Sequence, residues 1–200
     1  MDGNRALEDI RFIRKVIEET KREVVYNGKD YIFWGALVIV GMLAMYIPIK
    51  LHIYFNYFYV WVVLIPAGWL YSFYNKRKNE KSFPKTYAGK LISSVWLAAG
   101  ISMTLIGFVG TLSGNINPMS INPLLSVIMG IGYMVTGKIL ESKWLTNVSA
   151  GWWCGALILF FIHSEMQLLL MALMMLAFQT VPGIVIYKKY KKEMESRIDR

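Results

Sequence analysis

The chain has 200 residues, 56% of them apolar and 18% charged, with a net charge of +9 and a mean hydropathy of +0.41. That apolar share is more than a water-soluble domain uses, and almost all of the charges are gathered into four polar segments separated by long uncharged stretches, the segregation a bilayer imposes. A single cysteine, Cys154, excludes an intrachain disulfide and a cysteine-rich zinc site.

In chain order, the first element is polar. Leu7, Ile10, Ile13, Ile17 and Val24 recur at helical spacing, Glu18 precedes Arg22 by four, and Asn4 stands where a cap belongs. This predicts a cytoplasmic amphipathic helix over residues 1–29, too polar to span, suited to lie on anionic headgroups or to bind a protein partner through residues 5–25. The first 30 residues carry seven basic and seven acidic side chains and no cleavage-site pattern. They read as neither a secretory signal nor a transit peptide, which makes the cell (cytoplasmic or inner) membrane the expected location.

Residues 30–188 read as a bundle of six transmembrane helices, an all-α membrane protein. A span needs about 20 apolar residues in helical geometry, because lipid offers the backbone no partners. Tyr31 to Ile49, Ile53 to Tyr74, Leu91 to Leu112, Ile121 to Leu140, Trp144 to Ile162 and Met166 to Tyr187 qualify, and Lys138 is the only charged residue inside any of them. Of the 22 Lys and Arg residues, 21 fall in the N-terminal segment, the loop after the second span, the end of the fourth span with its loop, or Lys188 together with the basic tail at residues 189–200. Only Lys50 falls on the other side, so both termini are expected in the cytoplasm. The short external connections predict three antiparallel hairpins. Trp34-Gly35-Ala36-Leu37 and Trp153-Cys154-Gly155-Ala156 suggest a weak repeat between the first and third hairpins. The basic charge is assigned to orientation and headgroup contact, and no nucleic-acid partner is expected.

Small residues four apart let membrane helices approach closely. Ser94, Ala98 and Ser102 form such a stripe, as do Gly151 and Gly155, and Ser126 with Gly130. Internal packing seams are the first expectation and contact between copies of the chain the second. Polar residues at membrane depth need partners or a wet cavity, which singles out Asn56, Ser102, Thr104, Tyr133, Thr136, Asn147, Gln179 and Thr180. Among them Tyr133, Asn147 and Gln179 are the candidate ligand or helix-contact residues, with a hydrogen bond expected between Asn147 and Gln179. Pro66 and Pro182 are candidate kinks. His52, His163 and Glu165 lie in external turns, where solvation is the expectation.

The chain contains no HExxH, GxSxG or P-loop motif and no paired aspartates within a span. No catalytic residue, metal or cofactor is therefore predicted. Six helices in three hairpins resemble mitochondrial carriers in architecture, but in that family a proline is followed closely by an acidic and a basic residue, and neither Pro66 nor Pro182 has an acid at that spacing. Size, charge and span number also resemble the substrate-binding components of vitamin-uptake transporters, from which the long polar segment before the first span departs. The functional expectation is a non-enzymatic accessory or regulatory subunit acting through its cytoplasmic face. The alternative is a transporter or ligand-binding component for a small neutral or amphipathic solute.

Overall fold

The computed structural model describes residues 28–54, 56–80 and 87–198. The described residues are helical apart from short connections. The elements are α1 (Gly28–Lys50), α2 (Phe58–Glu80), α3 (Tyr87–Gly110), α4 (Pro118–Ile139) and α5 (Lys143–Phe161), followed by α6, which runs Met166–Met175, through a π turn Leu176–Thr180, and on over Val181–Ile198. Five of them, α1, α3, α4, α5 and the Met166–Lys188 part of α6, are long and apolar enough to cross a membrane. The remaining helix, α2, is 23 residues long, but Tyr59, Trp61, Pro66, Trp69, Tyr71 and Tyr74 dilute its apolar run.

Several boundaries differ from expectation. The second helix begins at Phe58 rather than Ile53, because Asn56 caps it: the Asn56 Oδ1 accepts from the Phe58 N–H at 3.0 Å, and Leu51 to Tyr57 form the connection. Asn56 is thus a cap and not a polar group at membrane depth. At the other end, α1 starts early enough to take in Gly28, Lys29 and Asp30, so one acidic residue does lie inside a candidate span. The predicted amphipathic helix over residues 1–29, with its partner surface at residues 5–25, otherwise lies outside the described residues. The predicted tail at 189–200 is not a separate segment as far as Ile198, since α6 continues through it.

Tryptophan seated on glycine is the recurring contact. A Cβ added to Gly41 of α1 would lie 2.6 Å from the Trp61 ring of α2, and one added to Gly68 of α2 would lie 2.6 Å from the Trp34 ring of α1. Both helices carry the same W-x2-L-x3-G spacing, Trp34-Leu37-Gly41 and Trp61-Leu64-Gly68, so each places its ring on the other's glycine. Lipid removes the hydrophobic incentive for helices to associate, and flat rings over bare backbone supply van der Waals contact in its place. The arrangement continues around the bundle: Trp69 of α2 covers Gly100 of α3, Trp96 of α3 faces Gly132 of α4, and Trp153 of α5 covers Gly130 of α4. Trp153 thus sits on an α4 glycine and Trp34 on an α2 glycine, so the two halves of the suspected repeat have different neighbours.

Glycines also bring backbones together. Gly137 of α4 meets the Thr146 backbone of α5, and Gly183 of α6 meets the Gly28 carbonyl and the Ile32 N–H of α1. Gly151 and Gly155 receive Phe178 and Met174 of α6, an internal seam of the kind anticipated. The Ser94, Ala98 and Ser102 stripe is different: all three are exposed on the outside of α3. The inward face of that helix is set by Ile92, Trp96, Ala99 and Thr104, which turns the stripe away from the bundle.

Candidate functional site

The deepest part of the bundle is an aromatic and polar layer to which five helices contribute. Tyr31 (α1), Trp96 (α3), Tyr133 (α4), Trp152 (α5) and Phe178 (α6) touch in succession. Ring centroids are 5.2 Å apart for Tyr31 and Trp96, 5.6 Å for Tyr31 and Tyr133, 6.4 Å for Tyr133 and Trp152, and 6.1 Å for Trp152 and Phe178. Tyr133 and Trp152 are both 0% exposed. Trp152 is inward because Leu145, Ser149, Trp152, Ala156 and Leu159 share one face of α5 at spacings of three and four.

Polar groups in this layer are mostly paired. The Tyr133 hydroxyl donates to Gln179 Oε1 at 2.6 Å, and the Trp96 indole N–H donates to Thr136 Oγ1 at 3.1 Å. Gln179 and Thr180 both face inward because they lie in the π turn of α6, where the Val181 N–H reaches back five residues to the Leu176 carbonyl and Thr180 Oγ1 donates to the Met175 carbonyl at 3.2 Å. Pro182 follows immediately, and having no N–H it cannot restore the ordinary ladder; its ring is fully buried. Pro66, by contrast, is exposed on α2.

Two buried polar atoms in the layer have no partner: the Tyr31 hydroxyl and the Trp152 indole nitrogen. The Tyr31 hydroxyl lies close enough to Thr136 and Trp96 to feel both, but completes a well-aligned hydrogen bond with neither. An unmet buried polar group costs on the order of 1–3 kcal/mol, so two of them in contact with one tyrosine ring mark this layer out within the fold.

Of the three anticipated contact residues, Tyr133 and Gln179 come together and Asn147 does not join them. Asn147 is exposed, on the side of α5 opposite Leu145 and Trp152, and the expected Asn147–Gln179 bond gives way to the Tyr133–Gln179 bond. The other depth candidates satisfy local backbone: Thr104 Oγ1 donates to the Gly100 carbonyl at 2.7 Å and accepts from Trp69, while Ser102 is exposed.

A second polar cluster, which sequence reasoning did not single out, closes the opposite end. Gln167 of α6 is 3% exposed, and its Nε2 shares two hydrogens among the carbonyls of Met119, Leu159 and Ile162 at 2.8, 3.0 and 2.9 Å, while its Oε1 accepts from Asn122 at 3.4 Å. The physical origin is legible in hindsight. Pro123 has no N–H, so the Met119 carbonyl four residues before it lacks a ladder partner; at the end of α5 the Leu159 carbonyl holds the Ile162 N–H at 3.3 Å with a second lone pair to offer, and the Ile162 carbonyl lies past the last turn. One amide therefore ties three helix ends together.

At the end of α1, Lys50 pairs with Glu165 of the α5–α6 turn at 2.5 Å, holding the Glu165 carboxyl below its ordinary range. Glu165 is thus engaged, and His163 Nδ1 lies 3.2 Å from the Phe161 carbonyl. Among the described residues no three His, Cys, Asp or Glu side chains group as a metal site. At the other end Asp30 accepts from Asn75 Nδ2 at 2.9 Å, and Lys29 lies 5.5 Å from the Tyr187 ring centre. No protein-family model, curated protein or solved structure matches this chain.

Proposed function

We propose that the chain is a non-enzymatic protein of the cytoplasmic membrane, three antiparallel hairpins with both termini in the cytoplasm, acting as an accessory or regulatory subunit through its basic face. The division of charge carries this reading. Lys29, Arg77, Lys90, Lys138, Lys143 and Lys188 are exposed near the helix ends assigned to the cytoplasm, whereas Lys50, at the far end, is engaged by Glu165. Exposed Tyr74, Tyr87 and Trp144 near the basic end and Tyr54 and Tyr59 near the other suit two headgroup-level belts. A basic face of this kind attracts anionic lipid and acidic protein surfaces, and the amphipathic segment at residues 5–25 gives it a partner-binding element. Removing residues 1–25 should abolish association with a co-purifying partner while leaving the thermal transition of the bundle in place. Undiminished association after the deletion would reject the proposal.

A second reading, a ligand-binding bundle for a small neutral or amphipathic solute, has one observation in its favour: the unmet Tyr31 and Trp152 groups beside the Tyr133–Gln179 bond. It moves the candidate site away from Asn147 and into the aromatic layer.

A further inference from the structure

We propose that the layer around Tyr31, Tyr133, Trp152 and Gln179 is a binding site for a small neutral ring compound bearing carbonyl oxygen, the chemistry of a quinone; the inference rests on the ligand-binding reading. Three features select that chemistry. First, Tyr31 O–H and Trp152 N–H are both hydrogen donors without partners, so what they lack is an acceptor. Second, among the described residues no charged side chain belongs to the ring layer. An anion would find no counter-charge among the described residues of the layer, and the nearest acid, Asp30, bonded to Asn75 of α2, would disfavour it further. A cation held over the ring faces would meet the positive ends of the O–H and N–H dipoles, so the aromatic walls do not make a cation cage. Third, Tyr31, Tyr133 and Trp152 already form a succession of tilted and stacked rings, into which a flat molecule enters as one more member.

The fold also supplies a way for the layer to open. The Tyr133–Gln179 bond joins α4 to α6 there, and Gln179 sits in a π turn that runs into Pro182, where the helix ladder is interrupted. Such turns recur at functional sites because a local change of register costs few bonds. Once Gln179 lets go, the Tyr133 hydroxyl becomes a third donor facing the same layer.

The test uses the full-length protein in phosphatidylcholine nanodiscs, with duroquinone as probe, because its four methyl groups block addition of the Cys154 thiol to the ring. Tryptophan fluorescence is titrated against empty-disc controls, and durene, the same ring without carbonyls, is added as competitor. Saturable quenching is expected, with durene competing at least about tenfold more weakly and Tyr31→Phe weakening duroquinone about tenfold, one hydrogen bond's share. Tyr31→Phe should meanwhile hold or raise the thermal midpoint without ligand, which a merely structural hydroxyl would not do. Trp152→Phe, which keeps a ring but removes the N–H, should weaken binding similarly. Durene competing as well as duroquinone binds, or saturable binding unchanged in both variants, would overturn the carbonyl assignment and leave the ligand-binding reading standing. Quenching that rises linearly, as membrane partition does, would overturn both.

Discussion

The α1–α2 pair and the α4–α6 group both hold helices together without a hydrophobic effect to drive them, and they use different means. Between α1 and α2 the contact is largely shape: Trp34 on Gly68, Trp61 on Gly41, and Phe33 stacked on Tyr71 with centroids 3.8 Å apart, with the Trp34 N–H to Ser72 bond at 2.9 Å as a polar tie. Among α4, α5 and α6 the contact is backbone on backbone at Gly137 and Thr146, reinforced by buried polar groups at Asn122, Ser126, Tyr133, Gln167 and Gln179. A ring on a glycine can slide by a few tenths of an ångström. A hydrogen bond buried among helices either meets its partner or leaves it unpaired, so the second group should be the less tolerant of change.

Substitutions that add or remove one small group put this contrast to the test. The largest effect is expected from Gly137→Ala, whose Cβ would sit 2.5 Å from the Thr146 backbone nitrogen and force α4 and α5 apart, at about 2 kcal/mol or more. Reversible unfolding in mixed micelles measures it, with Gly107→Ala as the control, since nothing lies within 4 Å of a Cβ there. Gly41→Ala and Gly68→Ala come next, at about 1–2 kcal/mol each. Their clashes are the same in kind, so the two costs should be equal in the same assay; unequal costs would break the reciprocity of the pair. Tyr133→Phe should cost about 1 kcal/mol by stranding Gln179 Oε1, close to what interhelical hydrogen bonds contribute in membranes, whereas Tyr31→Phe strands nothing and should cost nothing.

The smallest effect belongs to the exposed Lys50–Glu165 pair. Its carboxyl is held below the ordinary value of 4.5, chiefly by the hydrogen bond from Lys50. The contribution is therefore present above pH 4.5 and lost as pH falls through the lowered value. The thermal midpoints of wild type and Glu165→Gln should differ only slightly at neutral pH, shrink with added salt, and converge in acid.

Helix content and the apolar stretches could be read from the sequence because length and the absence of charge are enough to mark them. The facing of individual residues could not. Asn147 and the Ser94, Ala98, Ser102 stripe were placed inside on residue type alone, yet in lipid the outside of a bundle is as apolar as the inside, so the usual polar-out signal that fixes a helix's rotation is weak. Gln167 escaped notice because it stands in the first turn of its helix, where a polar residue looks solvated. Its role depends on carbonyls near Pro123 and at the end of α5 that still have a lone pair to offer, and those partners are 48, 8 and 5 residues away. The reciprocal W-x2-L-x3-G spacing of α1 and α2 was written in the sequence, but only the pairing of the two helices gives it meaning.

The central claim, that this protein works through partners at its basic face, is tested most directly by native mass spectrometry of the chain extracted gently from its own membranes. A protein or anionic lipid bound in fixed stoichiometry, and lost when residues 1–25 are removed, is the predicted result. A solitary bundle with neither, before and after the deletion, would contradict it.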